Sequence, residues 1–434
     1  MPTLRPFRAL RFNASVTDLS AVLAPPYDII SQEERLALLA QDPHNAVRID
    51  LPADVGSGVA ADYAAAARTV ADWRRDGVLR KDDEPTITVH EMAWADADGR
   101  PVTSTGFVVR LKLEEFGPDS GVLPHERTLS GPRKDRYDLL AATRLNSSPL
   151  VFLAGSDGPA TTKLVKQLSD RPADAEATTA DGVSHRLWIC NGSEETVVTL
   201  LGLVAAAPIT IADGHHRYET ALQYQRDRAA RGSTDGDPAW QYVMALVYSM
   251  DEAPPALPTH RVVRGGPGGA DLLEQLGPFV SVQRLASREA LLGRMAEPVD
   301  VARGATGSGR IGLLSSDQAA ILEVRSDRVD ALLDAALSDA SKGLDVNALT
   351  AIVERVYGAD PDALVGEGRL SYVKGADEAT QLVCDGEADT CFLLDPMPAT
   401  AISRVAEAGE VMPQKSTYFN PKAPTGLLFS PLEW

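Results

Sequence analysis

Histidine, arginine and carboxylate side chains crowd one short stretch, Asp213-Gly214-His215-His216-Arg217, directly after the apolar run 208–212. The run reads as a buried strand, and the residues beyond it open a helical pattern. The first N–H groups of a helix lack intrahelical partners and lie at the positive end of the macrodipole, so anions collect there. Two imidazoles and a guanidinium at that point build a receptor of phosphate or carboxylate size. Two of the seven histidines stand side by side here, which a merely structural turn does not require. Gly214 permits a tight turn or a close approach of backbone to ligand. Asp213, at the carboxyl end of the strand, is placed as a base, a metal ligand or an N-cap. Adjacent histidines point in different directions on a helix, so one can face a ligand while the other packs. Arg217 opposes the macrodipole, and an anionic ligand or a carboxylate partner accounts for it better.

Three further groups carry chemistry. His125-Glu126-Arg127-Thr128, followed by Arg133, Lys134 and Arg136, is the densest cationic patch. It is either a solvated face or a phosphate grip in which Arg supplies forks and Lys a point charge. The tail offers Lys415, Ser416, Thr417, Tyr418 and Lys422, for packing or for the site. Leu257-Pro258-Thr259-His260-Arg261 is another His-Arg pair after a strand. Asp213, His215, His216, His260 and His125 are hard or borderline ligands for Mn or Zn, but without a His-x-x-x-His helix motif no protein-held metal is expected. A Walker A lysine loop is absent from the sequence. Residues 307–312 match GxGxxG, yet they lead into a short apolar run and not a helix, so a flexible loop is expected there.

The elements that must position these residues alternate between strand and helix, the signature of α/β architecture. Ser31 is placed to N-cap a helix over 32–40, and 59–75 forms a strong Ala-rich helix stopped by Gly77. Residues 86–94 and 102–113 read as paired strands, 137–145 as a helix, and 150–154 and 186–190 as short strands around a polar stretch. A strand over 208–212, a helix over 215–231 and a strand over 241–250 follow. Beyond 264 the pattern is helical at 272–276, 288–295, 327–337, 346–356 and 401–408, with strands at 369–373 and 390–394. The polar, cationic tail 412–427 combines aromatics, Lys and Pro and is expected to be ordered. At 434 residues two or three domains are expected: an α/β core over 1–263 carrying the main motifs, and a second α/β domain over 264–434 whose tail returns to the site.

Composition narrows the function classes. Lys plus Arg is 42 against 61 Asp plus Glu, a net charge of −19, which argues against nucleic-acid binding. Cys190, Cys384 and Cys391 are too few and too scattered for a disulfide framework or zinc knuckle and read as buried structural thiols. The N-terminus lacks a long apolar stretch and no run approaches the ~20 apolar residues of a membrane span. A cytoplasmic setting with reduced thiols and a small-molecule partner is expected; oligomeric state is not legible.

With these residues in hand, the chain resembles a family of bacterial and archaeal proteins known as domain of unknown function 1015. The likeness spans essentially the whole length. It rests on Pro25-Pro26-Tyr27-Asp28-Ile29-Ile30, Pro124-His125-Glu126-Arg127-Thr128, Ala212-Asp213-Gly214-His215-His216-Arg217-Tyr218-Glu219-Thr220-Ala221, Leu257-Pro258-Thr259-His260-Arg261 and Met412-Pro413-Gln414-Lys415-Ser416-Thr417-Tyr418-Phe419. Locally, Gly214-His215-His216-Arg217 is similar to the phosphate-binding Gly-x-His-Arg box of the ParB/sulfiredoxin superfamily. That superfamily includes sulfiredoxin, CTP-binding partition proteins and free serine kinases. No cysteine stands between Gly214 and His216 and no basic helix-turn-helix is seen, so the kinase-like branch fits best. The resemblance implies a ParB/sulfiredoxin-like nucleotide-binding α/β core and ATP or ADP with Mg²⁺ as cofactor. The expected function is a nucleotide-dependent small-molecule phosphotransferase. Gly214, His215, His216, Arg217, His125, Arg127, Lys134 and Lys415 would bind phosphates, and Asp213 or Glu126 would be the base. A metal-assisted phosphoesterase or nuclease and a non-enzymatic nucleotide or metabolite sensor are the alternatives.

Overall fold

The structure is a computed structural model that describes residues 1–53, 61–96, 99–126, 133–155, 158–232, 236–299, 306–413 and 415–433. Its fold is mixed α/β, and the chain forms two compact units. The first comprises Met1–Pro124, Thr128–Pro254 and Pro421–Trp434; the second comprises His125–Arg127 and Pro255–Asn420.

In the first unit, strands rich in Val, Ile and Phe pair into one mixed sheet. Its spatial order is Val122–Leu123, Ile209–Asp213, Leu150–Ala154, Tyr242–Ser249, Pro101–Lys112, Thr86–Ala95, Ser184–Asn191 and Ala175–Thr178. Tyr242–Ser249 runs parallel to Leu150–Ala154, whereas Thr86–Ala95 and Pro101–Lys112 form the antiparallel pair read from the sequence. Tyr242–Ser249 is buried along its whole length, as expected of a central strand covered on both faces. Val89, Phe107, Phe152, Trp188, Ile211 and Val243 join in the main core. Burial of such side chains contributes roughly 1.5–3 kcal/mol each. A second apolar cluster gathers Leu10, Val47, Val70, Trp73 and Phe429 beside the helix Tyr63–Arg75.

Local chemistry sets the helix ends. Ser31 and Glu34 make a reciprocal capping box at the start of Gln32–Gln41, satisfying two otherwise orphaned N–H groups. Asp62 accepts the Ala65 N–H at the start of Tyr63–Arg75; the proposed start of that helix at Val59 lies outside the described residues. The helix expected over 137–145 occupies Arg133–Thr143 instead, and Leu145 joins a short strand with Pro431. The polar stretch after residue 154 contains a helix, Gly158–Ser169, that burial of Thr161, Val165 and Leu168 holds in place.

The second unit is built on a six-stranded antiparallel sheet ordered Val280–Leu285, Ala319–Val324, Arg310–Ser315, Thr390–Leu394, His260–Val263 and Leu370–Val373. Val262, Leu291, Ile321, Val383, Cys391 and Leu393 form its core. The amphipathic helix Asp345–Tyr357 ends on Gly358 in the left-handed region, the usual helix stop. The helix expected over 327–337 stops at Val329. The Asp334 carboxylate accepts the Ala336 N–H at 2.9 Å, a local turn that competes with helix continuation. At the GxGxxG match, Ser308 and Gly309 N–H groups both donate to the Asp345 carboxylate at 2.7 Å. A strand, Arg310–Ser315, follows, so the loop is filled by its own chain's carboxylate. Cys190 and Cys391 are buried as expected, but Cys384 is exposed at the last turn of Ala376–Cys384. Among the described residues, no helix is long and apolar enough to cross a membrane.

Candidate functional site

The Asp213-Gly214-His215 junction lies in the first unit. The strand Ile209–Asp213 is locked between Val122–Leu123 and Leu150–Ala154, with a register shift between Ile211 and Asp213. Gly214 has φ +102°, and no side chain caps the helix His215–Ala230 that it starts. A Cβ at Gly214 would come within 2.9 Å of Leu150 Cγ and 3.1 Å of Arg217 Nη2, so both conformation and space demand glycine. The helix is pinned from beneath by Tyr218, which is fully buried. Its hydroxyl donates to the Glu114 carbonyl at 2.9 Å and accepts the Glu114 N–H at 3.0 Å. His215 is buried and His216 half-buried, the divergence expected of neighbours on a helix.

Asp213 is the centre of a charge cluster. Its carboxylate accepts from Arg217 Nη2 at 2.9 Å and from Lys422 Nζ at 3.2 Å, and the same ammonium reaches Asp28 at 2.7 Å. Burial pushes the Asp213 carboxyl upward, but Lys422, Arg217 and His215 outweigh it and hold the group below its ordinary pKa. Asp213 is therefore ionised and already neutralised, a poor proton acceptor and a firm electrostatic anchor. Burial works against the Arg217 cation, and the Asp213 carboxylate overrides it. Arg217 Nη1 also donates to Ser148 Oγ at 2.8 Å and to the Pro149 carbonyl at 2.9 Å. This guanidinium has its carboxylate partner within the chain.

A second cluster adjoins it. Arg136 lies 4.0 Å from the Tyr27 ring centroid and donates to the Asp50 carbonyl at 2.8 Å. The Asp50 carboxylate accepts from Ser147 Oγ at 2.6 Å and Thr425 Oγ1 at 3.1 Å. Tyr27, Asp50, Arg136, Ser148 and Arg217 line one cavity of about 50 Å³, room for a water or two. A larger cavity of about 640 Å³ lies along the junction helix, lined by Phe116, Lys134, Tyr137, Glu219 and Gln223 among others.

The structure thus gathers Asp213, Gly214, His215, His216 and Arg217 at one junction. Lys134 is exposed, 3.9 Å from Asp138, on the wall of the larger cavity. His125, Glu126 and Lys415 belong to the second unit. There His125 is fully buried, with Nε2 3.2 Å from Thr417 Oγ1, and Glu126 accepts the Lys415 N–H at 3.2 Å. Lys415 itself has φ +56° and an exposed side chain. Arg127 lies outside the described residues. The sequence reading missed Lys422 as the partner of both Asp213 and Asp28; Tyr27-Asp28 stood in a quoted motif, and Lys422 was one of two lysines in the tail. Among the described residues no group of three or more His, Cys, Asp or Glu side chains could hold a metal ion.

No curated protein matches the chain. A conserved hypothetical protein from Pyrococcus furiosus is similar in structure at TM-score 0.34 and 12% identity, covering 72% of this chain and 95% of that one. A free serine kinase in complex with AMP gives TM-score 0.34 and 13% identity, covering 74% of this chain and 92% of that one. SbnI with C-terminal truncation from Staphylococcus aureus gives TM-score 0.34 and 11% identity, covering 73% of this chain and 85% of that one. At these scores none bears on activity. Residues 4–347 match a family model, and the chain belongs to that family, described as Protein of unknown function (DUF1015).

Proposed function

We propose that this chain is a nucleotide-dependent phosphotransferase acting on a small hydroxyl metabolite. One observation carries the reading: the helix His215–Ala230 starts at a left-handed glycine without a side-chain cap, with His216 half-buried beside it. Its first-turn N–H groups and the His216 imidazole are the phosphate receptor. Arg217 positions this turn through Asp213, Ser148 and Pro149 and leaves contact with the phosphate to its neighbours. The Lys422 ammonium, bound to both Asp213 and Asp28, braces the same turn through Asp213. Phosphoryl transfer depends chiefly on positioning and charge stabilisation, which is what such a site offers.

The test is calorimetric titration of the whole chain with AMP, ADP and ATP, each with Mg²⁺, followed by turnover assays with serine and other hydroxyl metabolites. Saturable nucleotide binding that His216→Ala weakens at least ten-fold, with turnover only when an acceptor is present, is the expected result. Failure of all three nucleotides to bind would overturn the reading. Binding without acceptor-dependent turnover would overturn the transferase part and leave a sensor, and release of phosphate from simple esters would make the chain a hydrolase.

A further inference from the structure

Leu257-Pro258-Thr259-His260-Arg261 takes no part in the proposed function and lies in the second unit. Along the strand His260–Val263 successive side chains face opposite sides of the sheet. His260 is turned inward, its Nδ1 accepting the Leu394 N–H at 3.2 Å. Arg261, on the other face, is only 4% exposed. Its guanidinium carbon lies 5.1 Å from the ring centroid of Tyr372, its partner in register. Among the described residues its hydrogen bonds run only to the Thr259 carbonyl and, at 3.3 Å, the Thr259 hydroxyl. No described carboxylate pairs with it, and burial pushes its pKa down to about 10, opposed only by Tyr372. A buried guanidinium without a counter-charge is costly.

Arg261 lines a cavity of about 410 Å³, within the range of ~300–1,000 Å³ found for small-molecule sites. Leu333, Leu337, Val353 and Met412 supply apolar wall. Glu354, Asp360 and Asp362 line the same cavity and are exposed. Burial, with Asp360 next, pushes the Glu354 carboxyl upward, so a cation beside these carboxylates would be welcomed. A carboxylate matches the fork geometry of a guanidinium. A polyphosphate would meet repulsion from the acidic residues.

We propose that this cavity binds a small amino-acid-like zwitterion, its carboxylate on Arg261, its ammonium at Glu354, Asp360 and Asp362, and its apolar side chain against the leucines. The site stands independently of the reading at Gly214, because it uses none of the same residues. Calorimetric titration of the whole chain with L-valine, L-leucine and L-methionine tests it, with isopentylamine, 4-methylpentanoate and inorganic phosphate as controls. At least one amino acid should bind saturably, with the two truncated analogues of leucine at least ten-fold weaker than L-leucine itself. Arg261→Gln should weaken that binding thirty-fold or more. The exposed double change Glu354→Gln with Asp360→Asn should weaken the amino acid but not 4-methylpentanoate, and it does so without touching the buried guanidinium. The proposal is overturned if none of the three amino acids binds, if inorganic phosphate binds more tightly than all three, or if neither variant changes the affinity.

Discussion

Two arginines, each following a histidine, one in the first turn of a helix and one on a strand, have opposite surroundings. In the first unit Arg217 meets a carboxylate, a hydroxyl and a carbonyl, and Lys422 shares the Asp213 charge with Asp28. In the second unit Arg261 is more deeply buried, with Thr259 and the Tyr372 ring as its neighbours. The same two-residue sequence, His-Arg, is neutralised internally in one place and left for an outside charge in the other. A cation whose partner comes from its own chain is part of the scaffold; a cation without one points to a ligand. Charge pairing, and not residue type, separates the two roles.

Removing the paired arginine breaks this contrast most directly. Arg217→Met takes the guanidinium from Asp213 and strands two acceptors, and should cost about 3 kcal/mol, since breaking an inward ion pair leaves an uncompensated charge. Residues 255–420 contain no tryptophan, so denaturant unfolding followed by tryptophan fluorescence reads the first unit.

Acid offers a second probe of similar size. Burial pushes the His185 imidazole down to about 4, and burial with His185 beside it holds His90 well below its ordinary value. The two rings lie 3.1 Å apart through Nε2 and Nδ1. Their folded pKa values lie below the unfolded value of about 6.5, so the folded state binds fewer protons. Their contribution is fully present above about pH 6.5 and is lost as the pH falls toward 4, about 3 kcal/mol for His185 alone. His185→Asn should flatten this acid limb of the tryptophan transition; an unchanged slope would contradict it.

Gly214→Ala probes the turn that carries Arg217. A Cβ 3.1 Å from Arg217 Nη2 at φ +102° should cost about 2 kcal/mol in strain, visible as a lower denaturant midpoint together with weakened nucleotide binding. The smallest effect, and one of opposite sign, belongs to Arg261→Met. Replacing an unpaired buried cation by an apolar chain should leave thermal stability unchanged or raise it by about 1 kcal/mol, measured by calorimetry. A loss as large as that of Arg217→Met would show that Arg261 is paired after all.

Sequence patterns revealed whatever was local. The N-cap Ser31 and the strand-to-helix turn at Gly214 each declare themselves within a dozen residues, and the paired strands over 86–94 and 102–113 follow one another directly in sequence. The partner of Asp213 did not, because Lys422 lies 209 positions away and no short-range pattern links them. The strand Val280–Leu285 was not legible because only its first residue is buried. In 327–337 the leucine spacing imitates a helix, yet Leu333 and Leu337 form cavity wall while Asp334 makes a turn. Of the GxGxxG letters read as a flexible loop, Ser308 and Gly309 hold the Asp345 carboxylate, and from Arg310 the chain is strand.

The exposed Cys384, with its two fellow cysteines buried, gives the second unit a unique chemical handle. A maleimide dye would attach there once per chain, with no engineered substitution, while the tryptophans supply an intrinsic signal from the first unit. Unfolding of the two units would then be reported at two wavelengths in a single denaturant titration.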